Sequence, residues 1–126
     1  MSKNIILSNQ EIEHTIKRIA YQIYETFIDE EEIVIAGIAS NGFIFAKKIA
    51  DSLNTISPLK VSLCEVQINK HQPESNVKTS IAQSDYTNKG LVLVDDVLNS
   101  GTTLIYAVRH FLDVPLKKFK TAVLVD

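Results

Sequence analysis

Cysteine and tryptophan are scarce in this chain, which has one cysteine, Cys64, and no tryptophan in 126 residues. A single cysteine excludes an intrachain disulfide, and the first residues lack the long apolar run of a secretory signal. We therefore expect a reducing, cytoplasmic setting, with Cys64 in a strand core. No stretch approaches the roughly 18 apolar residues that a spanning helix needs, so we expect no membrane partner.

An excess of charge of one sign is also lacking, because the formal net charge is −2 and the pI is about 5.9. Nucleic-acid-binding domains usually carry a basic surplus, so RNA is possible as a partner but not favoured. The three histidines, His14, His71 and His110, fall on separate predicted elements without the spacing of metal ligands. A histidine-based metal site is therefore not expected.

Apolar runs alternate with helix-like patterns along the chain. Helical spacing predicts helices over 10–27, 43–53 and 102–112, and β-branched runs predict strands over 33–38, 59–66, 91–94 and 121–125. Strands that alternate with helices predict an α/β fold with a mainly parallel sheet flanked by helices. Nothing in the composition suggests a second domain, so we expect residues 1–126 to form one.

The segment 67–90 is polar, contains Pro73 and shows no helix or strand period. Loops longer than about 12–15 residues are uncommon in compact domains unless they are functional or disordered. We interpret this segment as a flexible lid, with room for a short hairpin at the sheet edge.

Asp95 and Asp96 directly follow the predicted strand at 91–94, and ligands of open α/β sheets bind beyond the carboxyl ends of strands. Neighbouring strand residues point to opposite faces, and burying an unpaired charge is costly. We therefore expect the pair at the open end of the strand, facing solvent or a cationic ligand. A solvated strand end is the alternative, and NTPases also place two aspartates after an apolar run.

The sequence NSGTT at 99–103 opens the third predicted helix. Free N–H groups at a helix start, with the hydroxyls of Ser100, Thr102 and Thr103, can bind phosphate, and Gly101 permits a close approach. The alternative is an ordinary helix cap at Ser100 or Thr102. A carboxylate pair beside a phosphate cradle suits a ribose 5-phosphate. The chain has no GxGxxG motif. It also has no P-loop, because a phenylalanine stands where a P-loop has its lysine.

The sequence LVLVDDVLNSGTT at 91–103 resembles the 5-phosphoribosyl 1-pyrophosphate (PRPP) motif of type I phosphoribosyltransferases. Other segments resemble the bifunctional pyrimidine-operon attenuator/uracil phosphoribosyltransferase family: RIAYQI at 18–23, GI at 37–38 with Gly42, AKKIA at 46–50, DDVL at 95–98 and AVLVD at 122–126. The resemblance covers most of the chain and implies a type I phosphoribosyltransferase core. In those families the strand ending at Asp126 leads into a hood that grips the nucleobase, so we expect an incomplete hood here.

The resemblance implies a Mg²⁺-dependent transfer of phosphoribosyl from PRPP to a nucleobase, uracil or hypoxanthine/guanine, with release of pyrophosphate. Asp95 and Asp96 would act in catalysis by holding the ribose hydroxyls and Mg²⁺, directly or through water. The other implied site residues form a 5-phosphate loop of Asn99, Ser100, Gly101, Thr102 and Thr103, and a pyrophosphate loop of Ala39, Ser40, Asn41 and Gly42. The 67–90 segment would cover the reacting complex, and the family implies a homodimer.

Two asparagines depart from the patterns of the resembled families. Asn41 stands where the uracil subfamily usually carries a basic residue, and Asn99 where purine enzymes often have an aspartate that is a candidate general base. An asparagine carries no charge and cannot accept that proton. Two alternatives to an active transferase therefore stay open: a PRPP-sensing or RNA-binding regulator of nucleotide synthesis, and a catalytically degenerate PRPP-binding domain.

Overall fold

The computed structural model describes residues 9–38, 41–68, 77–96 and 101–124. These residues form three α-helices, five β-strands and a short 3₁₀-helix at Gln83–Asp85. In chain order the elements are α1 (Asn9–Thr26), β1 (Glu32–Ile38), α2 (Asn41–Ile56), β2 (Lys60–Ile68), β3 (Val77–Thr79), β4 (Gly90–Asp96), α3 (Gly101–Phe111) and β5 (Lys118–Leu124). The predicted α/β fold is confirmed. Among the described residues, none of the helices has the length and apolar character to cross a bilayer.

The strands form one sheet in the order β3-β2-β1-β4-β5, and all neighbours are parallel except the antiparallel pair of β2 and β3. From β1 the chain crosses through α2 to β2, on one side of β1. From β4 it crosses through α3 to β5, on the other side. The order therefore reverses between β1 and β4, and in such sheets the ligand crevice lies at that point, beyond the carboxyl ends.

Two apolar layers cover the sheet, one on each face. The stripe of α1 packs with α2 against one face, and its buried members are Ile16, Ile19, Ile23 and Phe27. On the other face, α3 contributes Ala107 and Phe111 to a second layer that also holds Cys64. The strand-core position predicted for Cys64 is confirmed, because its side chain is fully buried in β2.

The segment 67–90 was interpreted as a flexible lid with room for a short hairpin at the sheet edge, and the lid role stays a prediction. The short edge hairpin is present, because β3 pairs with the end of β2 from Val66 to Ile68. Tyr86 then anchors the segment: its ring is fully buried and meets Phe111 edge-on at 5.1 Å between centroids. A single aromatic anchor produces no periodicity, so the pattern of the sequence could not reveal this packing. Residues 69–76 lie outside the described part of the chain.

Candidate functional site

Asp95 and Asp96 are the last two residues of β4, which continues two residues beyond the predicted strand. They pair in register with Val123 and Leu124 of β5, and each aspartate is only 3% exposed. Of the two surroundings expected for this pair, exposure to solvent is therefore wrong, and a cationic ligand stays a prediction. The reason is that β5 runs beside β4 as far as Asp96, the last residue of β4. The first turn of α2 also lies close to this end of β4.

The two carboxylates lie on opposite faces of the sheet, as strand geometry predicted. Val92 and Val94 join the core layer under α1 and α2, whereas Leu91 and Leu93 join the layer under α3. By the same alternation, Asp96 lies on the α2 face and Asp95 on the α3 face. One carboxylate is thus available to each of the two strand-to-helix connections that the sequence singled out.

Two hydrogen bonds organise the pair. The Asn41 side chain donates from Nδ2 to Oδ2 of Asp96 across 3.0 Å, and the backbone N–H of Asp96 donates to Oδ1 of Asp95 across 2.8 Å. An ionised carboxylate only accepts, so the amide must present its nitrogen to Asp96. Burying a carboxylate is costly unless such bonds compensate for the lost water. These contacts therefore offset part of the cost of burying the pair.

Two glycines let the first turn of α2 lie against the sheet. A Cβ on Gly37 would lie 2.5 Å from the carbonyl oxygen of Gly42 and 2.5 Å from Cα of Phe43. A Cβ on Gly42 would lie 2.9 Å from the carbonyl oxygen of Val94. Gly42 was among the predicted site residues, and Gly37 was not. The signal for Gly37 is its place in a chain with only four glycines, at the end of a buried strand and five residues before Gly42.

The remaining predicted residues divide between the two helix starts. Asn41 and Gly42 open α2, Gly101 and Thr102 open α3, and Thr103 follows as a buried residue that is 7% exposed. Ala39, Ser40, Asn99 and Ser100 lie outside the described residues, so their roles stay predictions. The N-terminus of a helix carries about half a positive charge, which favours anions at both starts.

Metal binding at this site would involve the carboxylate pair and a bound ligand together. Within the described ranges, no group of three or more histidine, cysteine, aspartate and glutamate side chains could hold a metal ion. Mg²⁺ differs from other metals in this respect, because it is commonly held by one or two carboxylates with substrate phosphates and waters. Asp95 and Asp96 fit that donor set.

Two perturbed titratable groups lie away from this site. Burial raises the pKa of the Cys64 thiol, and backbone hydrogen bonds around Ser80 and Ile81 oppose it only in part. Burial also raises the pKa of Tyr86, with smaller contributions from Cys64 and Asp113. Both groups belong to the core layer under α3. A raised pKa keeps the thiol protonated, so Cys64 is poorly suited to act as a nucleophile.

A groove of about 790 Å³ lies between α1 and β5, lined by Arg18, Gln22, Lys120 and Ala122 among others. It contains none of the predicted site residues. The carboxylate pair is the better candidate site because it lies where the strand order reverses and because it brings together two segments that the sequence predicted to bind one ligand.

The sequence profile of the phosphoribosyl transferase domain family matches residues 2–126. The bifunctional protein PyrR of Limosilactobacillus reuteri is 34% identical over 131 residues, which cover 96% of this chain and 74% of that protein. The bifunctional protein PyrR of Streptococcus agalactiae is 29% identical over 129 residues, which cover 100% of this chain and 75% of that protein.

Solved structures of two further proteins share the fold. A hypoxanthine-guanine phosphoribosyltransferase of Bacillus anthracis superposes with a TM-score of 0.74 at 25% identity, covering 98% of this chain and 71% of that one. The hypoxanthine phosphoribosyltransferase of Trypanosoma cruzi, complexed with the product IMP, superposes with a TM-score of 0.81 at 18% identity, covering 98% of this chain and 62% of that one. The second likeness bears on the fold alone.

Proposed function

The chain belongs to the phosphoribosyl transferase domain family, and we propose that it transfers the phosphoribosyl group of PRPP to a nucleobase with Mg²⁺. Pyrophosphate would leave from C1 of the ribose as a nitrogen of the base bonds to the same carbon. The observation that carries the proposal is the buried pair Asp95 and Asp96 at the reversal of strand order, beside the first turn of α2.

The carboxylate pair suits a ribose because hydroxyl groups donate hydrogen bonds and carboxylates accept them. Each carboxylate has about four acceptor positions, so one carboxylate can accept more than one hydrogen bond. Asp95 and Asp96 would bind the ribose hydroxyls from the two faces of the sheet. Fixing the ribose in this way positions C1 for attack, which is a large part of what an enzyme can contribute to such a transfer.

Mg²⁺ would be held by Asp95 and Asp96, directly or through water, together with oxygens of PRPP. When bound, it would neutralise charge on the departing pyrophosphate. The chain's own residues would orient the ligand around it.

The two helix starts would bind the two phosphate ends of PRPP. The start of α2 would hold the pyrophosphate, through Ala39, Ser40, Asn41 and Gly42. The start of α3 would hold the 5-phosphate, through Asn99, Ser100, Gly101, Thr102 and Thr103. The 67–90 segment would cover the complex and exclude water, which strengthens these electrostatic contacts.

Uracil and hypoxanthine/guanine are the proposed bases, because the relatives are PyrR proteins and hypoxanthine-guanine phosphoribosyltransferases. The test is pyrophosphate release from PRPP and Mg²⁺ with uracil, hypoxanthine, guanine or adenine, in wild type and Asp95→Asn. Release that requires one base and falls at least about tenfold in the variant would support the proposal. Binding of PRPP without release for any base would contradict the transferase activity.

A second candidate is a protein that binds PRPP without transferring it and acts as a regulator. The observation that favours it is Asn41, an uncharged residue that bonds to Asp96 at the proposed pyrophosphate end. RNA binding in such a regulator would appear as a salt-dependent gel shift with leader RNA that PRPP alters. A homodimer is proposed for either function, and light scattering of the purified protein would test it.

A further inference from the structure

We propose that Asn41 is a positioning residue, whose amide holds the Asp96 carboxylate in the orientation that binds ligand. The first turn of α2 and the carboxylate pair would then bind ligand as one unit. This inference rests on the proposed function and adds to it how the pyrophosphate end and the ribose end of the site are coupled.

The bond from Asn41 to Asp96 connects residues that are 55 positions apart in the chain. It joins the first residue of α2 to the last residue of β4, across the reversal of strand order. A hydrogen bond to a charged group is shorter and stronger than one between neutral groups. The bond therefore restrains rotation of the Asp96 carboxylate about its χ2 angle.

The two partners differ in exposure, which places the bond at the opening of the site. Asn41 is exposed, whereas Asp96 is 3% exposed. The bond thus joins a side chain at the surface to a carboxylate in the interior. If the bond served packing alone, we would expect both partners to lie in the interior.

The close approach of α2 makes this reach possible for a side chain as short as asparagine. Gly37 and Gly42 place the first turn of the helix in direct contact with the carboxyl ends of β1 and β4. These backbone contacts fix the position of the first turn of α2. The Asn41 amide is then within reach of Asp96 and orients its carboxylate.

An amide holds a carboxylate without neutralising it. A lysine or arginine at this position would bring its own positive charge to Asp96, whereas the Asn41 amide brings none. Variants of Asn41 should therefore change the Mg²⁺ concentration that PRPP binding needs, an effect that a purely structural residue would not produce.

The first experiment measures PRPP binding by calorimetry over a series of Mg²⁺ concentrations, in wild type, Asn41→Ala and Asn54→Ala. Asn54 is an exposed asparagine of the same helix and serves as the matched control. We expect Asn41→Ala to weaken PRPP binding by about tenfold and to raise the Mg²⁺ requirement, and Asn54→Ala to change either by less than about twofold.

The second experiment measures urea unfolding without ligand in Asn41→Asp, Asp96→Asn and the double variant. Asn41→Asp keeps the shape of the side chain but sets two carboxylates against each other, so its unfolding midpoint should fall. The double variant exchanges donor and acceptor, so it should recover much of that loss. This measurement needs no ligand and tests whether the two side chains interact.

The outcomes separate the two proposals. If wild type binds PRPP and Asn41→Ala binds as Asn54→Ala does, the positioning role is wrong while the proposed function stands. If the double variant recovers no stability, the bond itself is contradicted. If wild type fails to bind PRPP at any Mg²⁺ concentration, the proposed function fails and the positioning role with it.

Discussion

The amide of Asn41 and the carboxylate of Asp96 are joined by a 3.0 Å hydrogen bond. This bond connects two predicted binding segments that are far apart in the chain. The sequence indicated each segment independently, one after β1 and one at the end of β4. Their contact follows from the sheet order, because β1 and β4 are neighbours with their carboxyl ends at the same edge. The site therefore depends on the order of the strands in the sheet as well as on the two sequence segments.

The first prediction concerns Gly37. In Gly37→Ala the new Cβ would lie 2.5 Å from backbone atoms of α2, so the helix start must shift. We expect a loss of stability of about 1–3 kcal/mol and weaker PRPP binding by the folded protein. Urea unfolding and calorimetric titration measure the two effects.

Gly90→Ala provides the matched comparison for Gly37→Ala. Its Cβ would lie 2.5 Å from the ring of Phe27, at the opposite end of β4 from the carboxylates. We expect it to destabilise the fold but to leave PRPP affinity of the folded protein unchanged. Equal effects of both variants on affinity would contradict the role given to the α2 start.

The second prediction concerns Cys64 and the pH dependence of stability. Burial raises the pKa of the Cys64 thiol. In the unfolded chain the thiol ionises near its ordinary pKa of about 8.5, whereas in the folded protein it stays protonated to higher pH. The folded state then binds more protons than the unfolded state, so the free energy of unfolding should fall as the pH rises above about 8.5. Urea unfolding between about pH 7 and 9.5 measures this fall.

Cys64→Ala tests the assignment of that pH dependence. It should lower stability at neutral pH, because it removes a buried side chain, but the alkaline decline should become shallower. Wild-type thiol should also react slowly with a thiol reagent until the protein unfolds. Rapid labelling of the folded protein would show that the Cys64 thiol is accessible to solvent and not buried.

The third prediction concerns Tyr86, whose hydroxyl is buried and has no hydrogen-bond partner among the described residues. Gln83 lowers the pKa of this phenol slightly, but without the geometry of a hydrogen bond to the hydroxyl. Removing an unsatisfied buried hydroxyl stabilises or is neutral, so Tyr86→Phe should change the free energy of unfolding by between zero and about +1 kcal/mol.

Tyr21→Phe is the control for Tyr86→Phe, because Tyr21 is 54% exposed on α1. It should leave stability within about 0.5 kcal/mol of wild type. A loss above about 1 kcal/mol in Tyr86→Phe would show instead that the hydroxyl has a partner, such as a buried water.

Periodicity and turn chemistry sufficed to predict the elements with strong repeating patterns. The stripe of α1 predicted a helix because it repeats one period over several residues, and the continuous, β-branched apolar runs of β1 and β4 predicted strands. The burial of Tyr86 in the segment 77–90 was missed because its ring packs on Phe111 in a distant helix. No local pattern encodes such a contact.

The sequence singled out the residues of the candidate site but did not indicate their environment. Asp95 and Asp96 stood out because two adjacent carboxylates end an apolar strand. Their burial could not be predicted, since it depends on β5 and α2, which approach from different parts of the chain. The same holds for the hydrogen bond from Asn41 to Asp96, because the sequence indicated Asn41 only as a member of the pyrophosphate loop that lacks a charge.

The measurement that tests the central claim most directly is calorimetric titration of PRPP with Mg²⁺ into wild type, Asp96→Asn and Asp51→Asn. Asp51 is an exposed aspartate on α2 and controls for the loss of one charge. We predict saturable binding by wild type and Asp51→Asn, and at least tenfold to hundredfold weaker binding by Asp96→Asn. Absence of binding by wild type at millimolar PRPP, or equal binding by all three proteins, would contradict a PRPP site at this carboxylate pair.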